Sequence, residues 1–539
     1  MFGLIIIILP IIIFYWTLEL CSFIASYLIY SSDEFWIRLT AKGYARSVDY
    51  FNFNYLSTWV NDYWDIFIWS SLGIATLVSF LVAVVVSTRM ERNKKKVRPT
   101  VLDDKKAEKI LLNKGTKPLE GIFAGNYGKD FFVSYEDRGL VIGPPATGKT
   151  AFLLNQILKV ADNQISFIAA DIKPEIHAIV KDDLREKGYE VAVINPLSDI
   201  GICYNPLSDI KEEIQINELV LNLLPLPLKG EPVWVQAQQW YLRLGLLYLH
   251  NHSERICSLP EVFQLFIDFP TPEKYLDFIC TTDQEVLKAS ALKLKNNLRS
   301  SKPEQAGYGT LFENLNWLNY EATRQTLSKS DLSINDLGQG KPIALFIQFE
   351  ETRLQSLGSL MSVLYGHILN CLIDNYQTRQ PVALFFDEIG NLPKIEGLAE
   401  KLHTIRSRML PTWMYWQTIT QMSKYSTIGI NGADIIMSSA DLQMFFRNNA
   451  EETQKMVSAL VGVTNESVES KSVGKRQDVW ELFDSTRTVN TTITERQVNV
   501  IEPHEVGELD QFEAITLYRG GKARGRATPY FEDYKKYKR

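Results

Sequence analysis

Cysteine is scarce in this chain, and what there is lies scattered. The five (Cys21, Cys203, Cys257, Cys280 and Cys371) include no C-x-x-C pair and have no paired histidines nearby. That excludes a zinc-finger framework and a disulfide scaffold, and leaves buried free thiols. Net positive charge is missing too: 57 lysines and arginines against 63 acids give a formal charge of −6. A globally basic nucleic-acid binder is thereby excluded, although a local basic channel is not. No internal repeat or coiled-coil heptad is present, so solenoid and long-rod architectures drop out. What is present is the apolar content of a folded protein, 46% hydrophobic and 12% aromatic over 539 residues. Such a chain has material for more than one domain.

Residues 143–150 read Gly-Pro-Pro-Ala-Thr-Gly-Lys-Thr. They fit G-x-x-x-x-G-K-[ST], follow the apolar run 140–142 and open a helical pattern at 151–158, the strand–loop–helix setting of a phosphate cradle. Gly143 and Gly148 permit backbone geometry closed to other residues, and the new helix N-terminus adds partial positive charge. The whole run, Gly143, Pro144, Pro145, Ala146, Thr147, Gly148, Lys149 and Thr150, is therefore the expected nucleotide site. Lys149 would reach the β- and γ-phosphates and Thr150 would hold Mg²⁺.

The run 381–388, Pro-Val-Ala-Leu-Phe-Phe-Asp-Glu, narrows the chemistry. An apolar strand ending in two carboxylates puts Asp387 beside the Mg²⁺ of Thr150 and leaves Glu388 to orient and deprotonate a water. A nucleotide kinase has no use for that base; an ATPase does. Gln417 closes the apolar strand 411–416, where it would touch the γ-phosphate or the water, or else cap the next helix. Arg406 and Arg408 lie near the end of a predicted helix, 395–409. One either stabilises transition-state charge across a subunit boundary or simply balances the helix dipole. Asp171 ends the strand 165–170, with Lys173 beside it and Pro174 at a helix start. Asp171 reads as a nucleotide contact or as a helix cap.

Apolar strands at 138–142, 165–170, 190–194, 342–349, 381–386, 411–416 and 442–446 alternate with helical patterns. That alternation predicts an α/β P-loop fold with a mostly parallel sheet. Ala514–Tyr518 is expected to close the sheet edge, and 464–500, rich in Ser, Thr, Asn and charge, to form a mobile excursion. Between 208 and 335 the β signal vanishes, which predicts an all-alpha subdomain with Trp234, Trp240 and Trp317 in its core. Lys293–Arg299 and Lys522–Arg526 are candidate nonspecific DNA contacts.

The N-terminus predicts a membrane hairpin. Residues 2–30 carry one charge, Glu19, and residues 66–88 carry none, each long enough to cross a bilayer core of about 30 Å. No basic segment precedes the first, which argues against a cleaved signal peptide. Six basic residues crowd positions 89–98, against three basic and five acidic in the loop 31–65. Both termini then lie in the cytoplasm. The expected division is 1–90 membrane hairpin, 91–116 linker, 117–207 with 336–539 nucleotide-binding domain, and 208–335 all-alpha domain.

The ordered set of motifs resembles the coupling proteins of type IV secretion and conjugation systems. It comprises the two spans, 143–150, Asp171-Ile-Lys-Pro-Glu-Ile-His, Asn195-Pro196, Tyr204-Asn205-Pro206-Leu207, the helical insert, Phe386-Asp-Glu-Ile-Gly-Asn-Leu-Pro393, and Gln417 with Thr418 and Gln421. The resemblance implies a RecA-like domain, an inner-membrane location, ATP with Mg²⁺, and a homo-hexameric ring in which Arg406 acts in trans. It implies as partners relaxase-bound single-stranded DNA, secreted effector proteins, and the components of the secretion channel. The chain departs from the family in its acidic balance and at Pro174 and Glu175, where many relatives carry Arg or Lys. Two other classes remain on sequence grounds: a chromosome-segregation translocase, and a cargo-docking receptor with regulatory nucleotide binding.

Overall fold

The computed structural model describes residues 105–198, 200–227, 230–252, 254–427, 429–474 and 488–537. The spans predicted at 2–30 and 66–88 lie outside the described residues, and among those described no helix is long and apolar enough to cross a membrane. The chain divides into two units, one of residues 100–464 with 497–539, the other including 465–496.

The larger unit is built on an 11-stranded sheet. Its strands are β1 (Gly121–Asn126), β2 (Asp130–Ser134), β3 (Gly139–Ile142), β4 (Ser166–Ala170), β5 (Glu190–Ile194), β6 (Ile343–Ile347), β7 (Val382–Phe386), β8 (Thr412–Trp416) and β9 (Leu442–Phe446). After the ribbon strands β10 (Val463–Gly474) and β11 (Thr488–Asn499), β12 (Glu513–Tyr518) and β13 (Gly521–Arg526) complete it. The order is β2-β1-β13-β12-β9-β3-β8-β7-β4-β6-β5. From β9 to β5 every pairing is parallel, and β12, β13, β1 and β2 extend the sheet antiparallel. Every residue of β4, β6, β7 and β8 is buried, the continuous apolar pattern of strands covered on both faces. Alternation along β7 and β8 feeds two cores: Leu384, Phe386, Met414 and Trp416 face one, Ala383, Phe385, Trp413 and Tyr415 the other.

On the second face lie α1 (Lys105–Leu112), α2 (Lys149–Asp162) and α3 (Glu175–Glu186). Among the described residues the chain between β5 and β6 holds helices and no strand: α4 (Glu213–Leu223), α5 (Val233–Asn251), α6 (Leu259–Asp268), α7 (Pro272–Ile279), α8 (Glu285–Asn297), α9 (Lys302–Asn314) and α10 (Glu321–Ser328). They share a core with the first face, which α11 (Gly358–Asp374), α12 (Leu398–Ile405), α13 (Gly432–Ser439) and α14 (Glu451–Val461) cover. Asp209 pins both ends of this helical insert. Its carboxylate accepts from Tyr204 Oη at 3.0 Å, Ile334 N at 3.1 Å, Asn335 Nδ2 at 3.3 Å and Ser333 Oγ. His367 and Cys371 of α11 bring a ligand atom each to within 4.8 Å of it, but with four donors on the carboxylate the cluster is satisfied as a dry polar core.

Three expectations change. Ala514–Tyr518 does not close the sheet: β12 is flanked by β9 and β13, and the edges are β2 and β5. A two-residue turn, Arg519-Gly520, with positive φ at both positions, folds β13 back beside β12. Of the segment 464–500, the described residues Val463–Gly474 and Thr488–Asn499 form two paired strands, β10 and β11, in keeping with their Thr- and Val-containing sequence. Trp317 is buried, but Trp234 and Trp240 are 41% and 44% exposed. Trp234 donates to Glu231 at 3.2 Å, and the Arg243 guanidinium lies over the Trp240 ring.

Candidate phosphate site

The phosphate loop leaves β3, whose four residues are all buried, so its starting point is rigid. Gly143 N donates to Trp416 O at 3.0 Å, fastening the loop to β8. A side chain at Gly143 would stand 2.7 Å from Phe446 Cβ. Pro144, Pro145 and Ala146 form the open crest, and Thr147 is buried with Oγ1 donating to Pro144 O at 2.8 Å. Gly148, at φ 105°, turns the chain into α2, and Thr150 lies half-buried in the first helical turn. The α2 N-terminus is thus presented to the crest with unpaired N–H groups and a favourable dipole.

Lys149 is buried, and its ammonium donates to Pro144 O at 2.9 Å and to Gly143 O. Burial lowers its pKa to about 8, against the opposing pull of Asp387 and Glu388. Those carboxylates sit at the same sheet edge because β8 lies between β3 and β7, with Ile142 opposite Trp416 and Met414 opposite Phe386. Gln417 follows Trp416 at that edge, between the phosphate loop and Asp387. The cap of the next turn is Thr418, which forms a capping box with Gln421, so helix capping does not account for Gln417.

Asp387 Oδ1 is sealed from solvent and has no hydrogen-bond partner among the described residues. Burial, then Glu388 and Asp171, raise its pKa to about 7, with Lys149 working the other way. An orphaned carboxylate oxygen at the same sheet edge as the phosphate loop carrying Thr150 offers hard oxygen ligands that fit Mg²⁺. Glu388 takes a left-handed φ of 49°, a conformation that non-glycine residues hold only when surroundings impose it. Lys173 Nζ donates to its Oε1 at 2.9 Å and Asn391 Nδ2 to its Oε2 at 3.0 Å.

Asp171 is buried and its oxygens accept from Ile176 N and His177 N, both at 3.0 Å, and from Gln348 Nε2 at 2.9 Å. Of the two sequence readings the geometry supplies the helix cap, and every hydrogen bond described for the carboxylate is accepted from the protein's own N–H groups. Arg406 is not brought to this edge either. It follows α12 in a 3-10 turn, and its guanidinium lies 3.8 Å from Asp441. Asp441 precedes β9 and its N–H donates to Arg138 O just before β3, which is the opposite end of the parallel strands. The candidate DNA contacts at Lys522–Arg526 belong to β13 and are committed within the fold. Lys522 Nζ donates to Leu460 O and Val461 O, Arg524 pairs with Glu513, and Arg526 with Glu532. Lys293 and Arg299 are exposed, and Lys295 pairs with Asp277.

Sequence reading missed Asn391, Gln348 and Phe512. Asn391 lies inside the acidic motif; Phe512 carries no local signal, yet its N–H donates to Thr147 O at 3.2 Å.

A phosphate loop on one parallel strand and a buried carboxylate on another, with a single strand between, define a P-loop NTPase fold of the RecA-like kind. The chain belongs to the type IV secretory system conjugative DNA transfer family, whose model matches residues 86–539. Among solved structures it is similar to the bacterial conjugative coupling protein TrwB in an unbound monoclinic form, at 15% identity and a TM-score of 0.57, over 78% of this chain and 90% of that one. TrwB in complex with the non-hydrolysable ATP analogue ADPNP aligns at 15% identity and TM-score 0.56, over 79% and 92%. TrwB with ADP and Mg²⁺ aligns at 15% identity and TM-score 0.54, again over 79% and 92%. None of the curated proteins matches the chain.

Proposed function

We propose that the chain is an inner-membrane coupling protein that hydrolyses ATP to recruit a relaxase–DNA complex or protein substrates and feed them to a type IV secretion channel. The observation that carries this reading is Asp387, whose Oδ1 is sealed and unpartnered among the described residues, across one strand from the Lys149 ammonium. TrwB, of the same fold, has been solved with ADPNP and with ADP and Mg²⁺, which supports the same ligands here.

In this reading the N–H groups from Ala146 to Thr150 take up the phosphates, and Lys149 turns from its loop carbonyls to the β- and γ-oxygens. Thr150 and Asp387 hold Mg²⁺, which when bound neutralises phosphate charge. Glu388 accepts the proton of the attacking water, and Gln417 sits where the γ-phosphate would lie. Arg406, remote from its own phosphate loop, serves a neighbour in a homo-hexamer. The 2–30 and 66–88 spans anchor the ring, and 208–335 forms the all-alpha domain beside the 117–207 and 336–539 nucleotide-binding domain.

Glu388→Gln tests the reading. The full-length variant should keep nucleotide affinity, lose about a hundredfold or more of ATP turnover, and fail in conjugal or effector transfer. Transfer that survives this substitution would sink the motor.

A further inference from the structure

The acidic loop after β7 is stapled to the turn after β8. Lys424, half-buried in that turn, donates to the carbonyls of Ile389 at 2.7 Å, Gly390 at 3.2 Å and Leu392. Beside it a polar chain runs from the strand tip to the proposed base. Gln417 N and Thr418 N donate to Gln421 Oε1 at 3.1 and 3.5 Å. Gln421 Nε2 donates to Asn391 Oδ1 at 3.4 Å, and Asn391 Nδ2 donates to Glu388 Oε2 at 3.0 Å. One amide thus reads the backbone at Gln417 with its oxygen and passes that position to Asn391 with its nitrogen.

The chain needs a gap to pass through, and Gly390 provides it. A Cβ at this position would lie 2.1 Å from Gln421 Oε1, and the three nearest atoms to it all belong to Gln421. The glycine therefore serves the approach of a single side chain. On the far side Lys173 holds the other oxygen of Glu388, so the carboxylate is gripped from two directions in its left-handed backbone conformation.

We propose that Gln421 is a positioning residue which, through Asn391, sets the orientation of the Glu388 carboxylate and couples it to the strand tip carrying Gln417. A shift of that tip then moves the base, so water activation follows occupancy beside Gln417. Gln421 itself touches neither nucleotide nor water. The inference rests on the ATPase reading above and deepens it.

The test is a cycle of Gly390→Ala, Gln421→Ala and the double variant in the purified full-length chain. ATP turnover and ADP affinity are measured for each. Misorienting a catalytic group by about an ångström costs on the order of tenfold to a hundredfold in rate. Each single variant should lose kcat by that order, with KM and ADP affinity held within about twofold. Gly390→Ala should cost nothing further once Gln421 is Ala, because the three atoms nearest the added methyl are then gone. Gln421→Glu keeps the shape and the backbone contacts but cannot donate to Asn391. It should lose turnover while melting at the wild-type temperature, which separates positioning from packing. Wild-type kcat in Gln421→Glu, or multiplicative losses in the double variant, would overturn the inference alone. A wild-type chain that hydrolyses no ATP would overturn the activity reading, and this inference with it.

Discussion

Gly148 bears the heaviest steric demand in the phosphate loop. It sits at φ 105°, and a Cβ there would lie 2.3 Å from the Phe512 ring. Gly148→Ala should therefore cost about 1–3 kcal/mol of stability through backbone strain. It should also weaken ATP-analogue binding tenfold or more, since the ring and the N–H groups must move apart; a fluorescence titration beside a melting curve checks both. His367 gives a pH signature of a different kind. Burial, reinforced by Lys401, lowers its pKa to about 4, and its Nε2 lies 3.3 Å from Cys371 Sγ with Asp209 close by. The unfolded chain takes up this proton near pH 6.5 and the folded chain does not, so stability falls as pH drops from 6.5 towards 4, by about 1.4 kcal/mol per unit. His367→Gln should flatten the fall in melting temperature between pH 7 and 5; an unchanged slope would show that other groups set it. Legibility at this scale follows sequence distance. Lys149, Asp387 and Glu388 announce themselves by local spacing. The Lys173–Glu388 pair joins residues 215 positions apart, and Phe512 meets the loop from the far end of the chain, so no local pattern could reveal either.

At the scale of elements, the parallel strands were readable because covered strands must be apolar throughout. β4, β6, β7 and β8 stand out from any surface segment for that reason. Of the antiparallel extension only β12 was readable, as the apolar run Ala514–Tyr518; β1, β2 and β13 were not, because each mixes polar and apolar residues. β13 is the sharpest case: Gly-Lys-Ala-Arg-Gly-Arg looks like a solvated basic run, yet it pairs on both sides. The sheet gives these cations work. Lys522 reaches the last carbonyls of α14, donating to Leu460 O at 2.8 Å and Val461 O at 2.9 Å, where a cation also offsets the helix dipole. Lys522→Met keeps the stem and removes the cap, so it should destabilise the chain by about 1 kcal/mol. Single-stranded DNA affinity should stay at the wild-type value across a salt series, because this ammonium is already occupied. A reduced salt slope would return Lys522 to the DNA surface.

For the whole molecule, the decisive fact is that Arg406 and the phosphate loop lie at opposite ends of the same parallel strands. Asp441 holds Arg406 at 3.8 Å and is itself held by the buried Arg138, through Nε at 2.9 Å. That anchor lies a strand's length, roughly 13–17 Å, from the edge where Gln417 and Asp387 meet. A guanidinium there cannot serve its own site without breaking the sheet. It is half-exposed, at 53%, and so is presented outward, as a ring with heterologous contacts requires. In the proposed homo-hexamer the two catalytic charges of one site come from different subunits, and that proposal predicts complementation. Arg406→Ala and Glu388→Gln should each abolish turnover alone. Co-expressed at equal amounts, about a quarter of the interfaces should pair an intact Glu388 with an intact Arg406 if subunits mix at random. Turnover should recover towards that fraction, in proportion to the product of the two intact fractions as the ratio is varied. Mixtures no more active than either parent at every ratio would place Arg406 outside the reaction, leaving its pairing with Asp441 as its whole role.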